Sequence, residues 1–489
     1  MIGDSRNLTL LTDFYELTMM RGYLNAGMAD RLVIFDLFYR RNPSGNGYAI
    51  AAGLDQAVEY IRDLHFSDCD IEYLRETCFF DEAFLNALRN FRFTGDIYAV
   101  PEGTVVFPQE PLIKVKAPVF QAQLLETALL TIINHQSLIA TKAARVCQAA
   151  QGDPVLEFGL RRAQGPDAGV YGARAAVIGG CSATSNVLAG RMFGVPIRGT
   201  HAHSWIMSFD NELDAFRAYA KIYPQACILL VDTYDTVKSG VPNAIKVFNE
   251  MREAGILLKG YGIRLDSGDL AYISKISRNM LDAAGFNDAI ISASGDLDEN
   301  LISQLKIQGA KITVWGVGTN LITSEDCPAF GGVYKLAAEI NSGGKMIPKI
   351  KLSENPEKVT NPGDKKIFRI YDANNGKFKA DLITLADEFP DASKDLTIFD
   401  PLATWKSMRL YAGQYMIREL LTPVFIQGKC VYEKPSVSDI QAYCGKETDS
   451  LWDEHKRLSN PQTAYVDLSQ DLYDLKQKLI RETRGLSSR

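Results

Sequence analysis

The chain has 489 residues, of which 46% are hydrophobic, 10% aromatic and 23% charged. That profile excludes disorder and low complexity and gives length enough for about three domains. A formal net charge of −6 argues against general affinity for nucleic acid or anionic membrane, so an anionic ligand must be met by local positive charge.

In chain order, 13–26 carries apolar residues at helical spacing (Phe14, Leu17, Met20, Leu24), and the branched and aromatic residues of 32–38 predict a strand. Helical patterns follow over 54–64 and 81–89. Between 93 and 118, Gly and Pro cut the chain into short strands, a small β-rich unit. A long helix is expected over 120–150, stopped by Gln151-Gly-Asp-Pro154. Apolar segments with polar ends then recur at 156–162, 196–203, 228–235, 260–269, 290–296 and 312–319, the later ones spaced by about one βα unit. Polar residues gathered at every strand end favour a barrel over an open sheet, which concentrates its ligand residues at one switch point. Beyond Gly332 the rhythm fades into a basic loop rich in Lys, Pro and Gly over 345–369, then a mixed region closing in a helix over 468–483. The expected domains are 1–150 (α/β), 151–335 (barrel) and 336–489 (a C-terminal extension packing in part with the first).

The longest apolar runs, such as 226–231, fall well short of the roughly 18 residues of a membrane span. No secretory pattern opens the chain, so a cytoplasmic home is expected. The eight cysteines are scattered without a Cys-x-x-Cys and read mostly as small packed hydrophobes.

The strand ends share a chemistry of anion binding. Gly316-Val-Gly318-Thr319 offers a turn where backbone N–H groups converge on a phosphate, and Ser294-Gly295 offers a hydroxyl and open backbone at a helix start; tight turns and helix caps are the plain alternatives. Arg161, Arg162 and Arg264 suit a carboxylate or phosphate, or else pair internally with Asp232, Asp235, Asp266 or Asp269, which could also serve Mg²⁺. His201 and His203, two of five histidines, form a His-x-His that reads as structural, nucleophilic or acid–base chemistry. His65 and His455 read as solvated and His135 as a capping or packing residue. Glu157 is the only acidic residue found at the strand end before Arg161.

Taken together, Thr12-Asp-Phe-Tyr-Glu-Leu-Thr-Met, Phe158-Gly-Leu-Arg-Arg-Ala-Gln-Gly, Ser185-Asn-Val-Leu-Ala-Gly, Gly199-Thr-His-Ala-His-Ser, Gly262-Ile-Arg-Leu-Asp-Ser-Gly-Asp-Leu, Gly316-Val-Gly-Thr and 351–363 resemble the nicotinate phosphoribosyltransferases over nearly the whole chain. The resemblance implies a type II phosphoribosyltransferase fold, an irregular TIM-like α/β barrel with an N-terminal α/β domain and a C-terminal extension. It implies transfer of phosphoribosyl from 5-phosphoribosyl 1-pyrophosphate to nicotinate, with ATP as co-substrate acting through a phosphohistidine at His203 and with Mg²⁺. Tyr15, Thr200 and Arg264 match nicotinate-contacting positions, with Arg161 a further grip on the carboxylate. Thr319 matches a donor-contacting one, joined by the Ser294-Gly295 and Gly316–Gly318 loops, and Asp266 stands with His203 as catalytic. A homodimer with shared active sites is implied. The nicotinamide-using relatives are expected to carry an aspartate where approximate matching puts Ser182. A catalytically inactive nucleotide-sensing barrel is the rival from another class; it need not keep His203, Arg264 or Asp266.

Overall fold

The computed structural model describes residues 6–485 and comprises two compact units, one built from 139–328 and the other from the segments flanking it. No helix among the described residues is long and apolar enough to cross a membrane.

In the flanking unit, a seven-stranded antiparallel sheet runs in the order Met346–Pro348, Gly332–Ile340, Leu32–Tyr39, Ile113–Pro118, Asp96–Ala99, Thr422–Ile426, Lys429–Cys430. The helix expected over 120–150 is two, Val119–Leu124 and Glu126–Ala149. The second restarts with Glu126 in its first turn, where a carboxylate complements the free N–H groups. A second sheet sets Tyr415–Glu419, Lys365–Asp372, Phe378–Leu385 and Val466–Leu468 side by side. The closing helix is therefore shorter than expected, Gln470–Thr483, because Val466–Leu468 pairs with Phe378–Leu385 and Ser469 caps the helix after it. His455, read as solvated, is buried with its ring edge-on to Phe378 at 5.8 Å. Cys69, Cys78 and Cys430 are exposed rather than packed, whereas Cys181, Cys227 and Cys444 are buried.

A fully buried ionic network crosses this second sheet. Arg369 grips Asp381 with two nitrogens (2.9 and 2.6 Å) and Glu447 with a third (2.8 Å), between the rings of Phe107 and Phe378. Burial pushes the Glu110 carboxyl well up, and the Asp381 carboxylate beside it adds to the shift.

The central unit carries six parallel strands: β1 (Val155–Glu157), β2 (Ala183–Thr184), β3 (Ile228–Leu230), β4 (Gly262–Leu265), β5 (Ile290–Ala293) and β6 (Val314–Val317). Their order is β2-β1-β6-β5-β4-β3, with helices in the crossovers, as βα units dictate. The strand expected at 196–203 reduces to one parallel bridge, Thr184 to Ile197, since Pro196 has no N–H to give a ladder. Between this segment and β3 the link is a side chain: His201 Nε2 accepts the Leu230 N–H at 3.3 Å. The barrel is thus irregular, with an imidazole standing where a strand-to-strand bond would be.

Two outcomes follow. Burial pushes the His201 imidazole down from 6.5 to about 4. The unfolded chain therefore takes up this proton before the folded one does, so the stability held above pH 6.5 is lost as pH falls toward 4, on the order of 3 kcal/mol. Urea unfolding across that range should show a shallower pH dependence in His201→Gln, whose amide oxygen can still accept from Leu230. Separately, Arg369→Ala leaves the buried Asp381 without a cation, while Glu447 keeps Arg418 at 2.8 Å, and should cost about 3–5 kcal/mol in chemical denaturation.

Candidate active site

A cleft of about 620 Å³ opens at the carboxyl ends of the barrel strands. Of the residues singled out in the sequence, Arg161, Thr200, His203, Arg264, Asp266, Ser294, Gly295, Gly316, Gly318 and Thr319 all line it. Tyr15 does not: it lies on the helix Phe14–Asn25 of the flanking unit, half-exposed. Partial burial, with Glu126, Glu16 and Asp13 nearby, pushes its hydroxyl up to about 12.

Arg264, third in β4, is the hub. Its Nε donates to Ser294 Oγ (2.7 Å), NH1 to Thr200 Oγ1 (3.0 Å) and NH2 to Asp266 Oδ1 (3.0 Å). The internal ion pair with Asp266, one alternative posed in the sequence, is formed, and Arg264 also lines the cleft. Ser294 in turn donates to Asp266. Burial alone would raise the Asp266 carboxyl, but the Ser294 hydroxyl, Arg264 and His203 together hold it below the usual carboxylate range. Ser294 opens no helix, contrary to expectation; the next one, Glu299–Ile307, begins further on and is capped by Asp298. Its hydroxyl is spent on the Arg264–Asp266 pair.

His203 begins a short helix, His203–Met207, with Nδ1 3.0 Å from Thr233 Oγ1 and Nε2 3.8 Å from Asp266 Oδ2. Both histidines border the cleft, His201 buried in the seam with its Nε2 bound to Leu230 and His203 more open. Asp235 and Asp269 each accept backbone N–H groups as caps, of Thr236–Gly240 and Leu270–Ala283. Asp232 instead receives the Asp266 N–H (2.9 Å) and Ser267 Oγ (2.6 Å) on one oxygen, and its other oxygen is buried without a partner. No three carboxylate, imidazole or thiol groups converge as a metal site among the described residues.

The glycines have steric reasons. Gly295 has φ +116, a conformation that L side chains rarely adopt. A Cβ on Gly316 would lie 2.7 Å from the ring of Phe158. That ring, 5.8 Å from the Arg264 guanidinium, is a lining group the sequence reading missed; its place one residue past the end of β1 was its signal. Ser185 was missed as well: it lines the cleft, whereas Ser182 is exposed and outside the lining.

Comparison with known proteins agrees with this arrangement. Residues 10–134 match the nicotinate phosphoribosyltransferase (NAPRTase) N-terminal domain and residues 364–476 the C-terminal domain of the same name. The chain is 48% identical over 479 residues to the nicotinate phosphoribosyltransferase of Bacillus subtilis, covering 98% of this chain and 96% of that one. It is 35% identical to the human enzyme of that name, covering 95% of each. The crystal structure of human nicotinic acid phosphoribosyltransferase superposes with a TM-score of 0.83 at 32% identity, over 96% of this chain and all of that one (100%). A fold of the type II phosphoribosyltransferase kind, motifs at every barrel strand end and relatives matching end to end make this chain a member of the nicotinate phosphoribosyltransferase family.

Proposed function

We propose that the cleft transfers the phosphoribosyl group of 5-phosphoribosyl 1-pyrophosphate to the ring nitrogen of nicotinate, stimulated by ATP through transient phosphorylation of His203, in NAD salvage in the cytoplasm. The observation that carries the reading is the Arg264 hub, a fixed guanidinium between Thr200, Ser294 and Asp266 with the Phe158 ring beside it. A flat aromatic anion is met there by an aromatic face and a planar cation.

The ring nitrogen attacks C1 of the sugar as pyrophosphate leaves, so positive charge grows on the ribose and negative charge on the leaving group. Asp266, kept ionised by its partners, suits the first; the loops 294–296 and 316–319 suit the phosphates, while Arg161 adds a grip on the nicotinate carboxylate. Mg²⁺ arriving with the pyrophosphate would neutralise its charge, and the unpartnered oxygen of Asp232 together with Asp266 is the donor set that fits it. His203 Nδ1 lies 3.0 Å from Thr233 Oγ1; the tautomer that donates there would leave the Nε2 lone pair free toward the cleft, as a phosphoryl acceptor requires. Ser185, rather than a carboxylate, at the lining favours nicotinate over nicotinamide, because a buried aspartate would repel the anion. The exposed Tyr15 suits a homodimer in which the helix Phe14–Asn25 of one subunit completes its partner's cleft.

A mass-resolved assay offering nicotinate, nicotinamide or quinolinate with donor and Mg²⁺, with and without ATP, should yield nicotinate mononucleotide, faster with ATP. Nicotinamide mononucleotide instead would overturn the substrate assignment. His203→Ala should retain basal turnover and lose ATP stimulation; full stimulation in that variant removes the phosphohistidine. Arg264→Lys, which cannot hold three partners in one plane, should raise KM for nicotinate about tenfold or more.

A further inference from the structure

Glu157 closes β1 and has no exposed surface. One carboxylate oxygen accepts the Gly159 N–H and the other the Thr184 hydroxyl at 2.6 Å, while its backbone carbonyl accepts the Ser185 N–H at 2.9 Å. The Thr184 hydroxyl also receives the Asn186 N–H at 2.9 Å, and Asn186 ties back to Gly169 at 3.0 Å and caps Val187–Phe193. One carboxylate thus joins the turn after β1, which presents Phe158 and Arg161, to the turn after β2, which presents Ser185.

Burying a carboxylate is costly, and here burial raises its pKa with only a hydroxyl and an N–H opposing the shift. Mere packing would be met better by an apolar residue. What a carboxylate supplies is two acceptors facing two donors, which an amide cannot match because one of its ends donates. We infer that Glu157 is a positioning residue for nicotinate binding: its clamp on Gly159 and Thr184 sets the spacing between the Phe158–Arg161 turn and Ser185, and so the width of the ring end of the cleft. The inference rests on the functional reading above. The Glu157 carboxylate holds neither of the phosphate-facing loops after β5 and β6, although Phe158 donates its N–H to Val317 of β6 at 2.8 Å, so the clamp acts on nicotinate before the donor.

Steady-state kinetics of Glu157→Gln, varying each substrate in turn, tests it. KM for nicotinate should rise about ten- to a hundredfold, with KM for the donor and kcat each within about threefold of wild type. Thr184→Val should give the same selective rise, and Thr184→Ser should restore wild-type behaviour. Adding Thr184→Val to Glu157→Gln should cost little more than either change alone, as two halves of one clamp do. Thr184→Val keeps the test open if Glu157→Gln does not fold. A parallel rise in both KM values, a fall in kcat at constant KM, additive effects, or unchanged kinetics overturns the clamp. Absence of nicotinate mononucleotide from wild type overturns the functional reading, and the clamp with it.

Discussion

The guanidinium of Arg264 is the point at which the barrel's strands become one site. It lies on β4, yet it reaches Ser294 after β5 and Thr200 in the segment before β3, and it pairs with Asp266 at its own strand end. A planar fork with fixed donor directions can hold three partners at once only if the backbones carrying them are already placed. The geometry therefore runs both ways: the parallel strands put the partners in reach, and the guanidinium locks the loops that the strands leave free. The same contacts keep Asp266 ionised despite its burial.

Closure of the barrel follows a similar economy. A regular strand between β2 and β3 would have needed a ladder of backbone bonds, and Pro196 removes a donor where that ladder would run. The chain uses one bridge at Ile197 and the His201 imidazole instead. Backbone that is free of a ladder can bend, and this stretch carries Thr200 and His203 into the cleft. Irregularity in the fold and placement of the chemistry share one cause.

The βα rhythm was legible because apolar runs ending in polar residues need only the strand period and the unit length to be recognised. The cleft residues were legible for the same reason, since in a parallel barrel the strand ends converge. What escaped was whatever depends on packing at a distance in the chain. Nothing local marks Leu125 as a helix break or His455 as buried, and the exposure of Cys69, Cys78 and Cys430 is a tertiary fact. Ser294 reads as a helix start until Arg264 and Asp266 are seen to claim its hydroxyl. Tyr15 carries a family motif, but its motif neighbours in sequence do not reveal that it sits outside the barrel unit.

Gly316 shows how much a vacancy can specify. The space a β-carbon would fill is taken by the ring of Phe158, at 2.7 Å from that missing atom. A larger residue on β6 would have to push the ring toward the substrate, shrinking the cleft from within while leaving every polar contact intact. Drift in the ring size that members of such a lineage accept could therefore begin at a glycine that offers the substrate no side chain, on the strand paired with the one the aromatic follows.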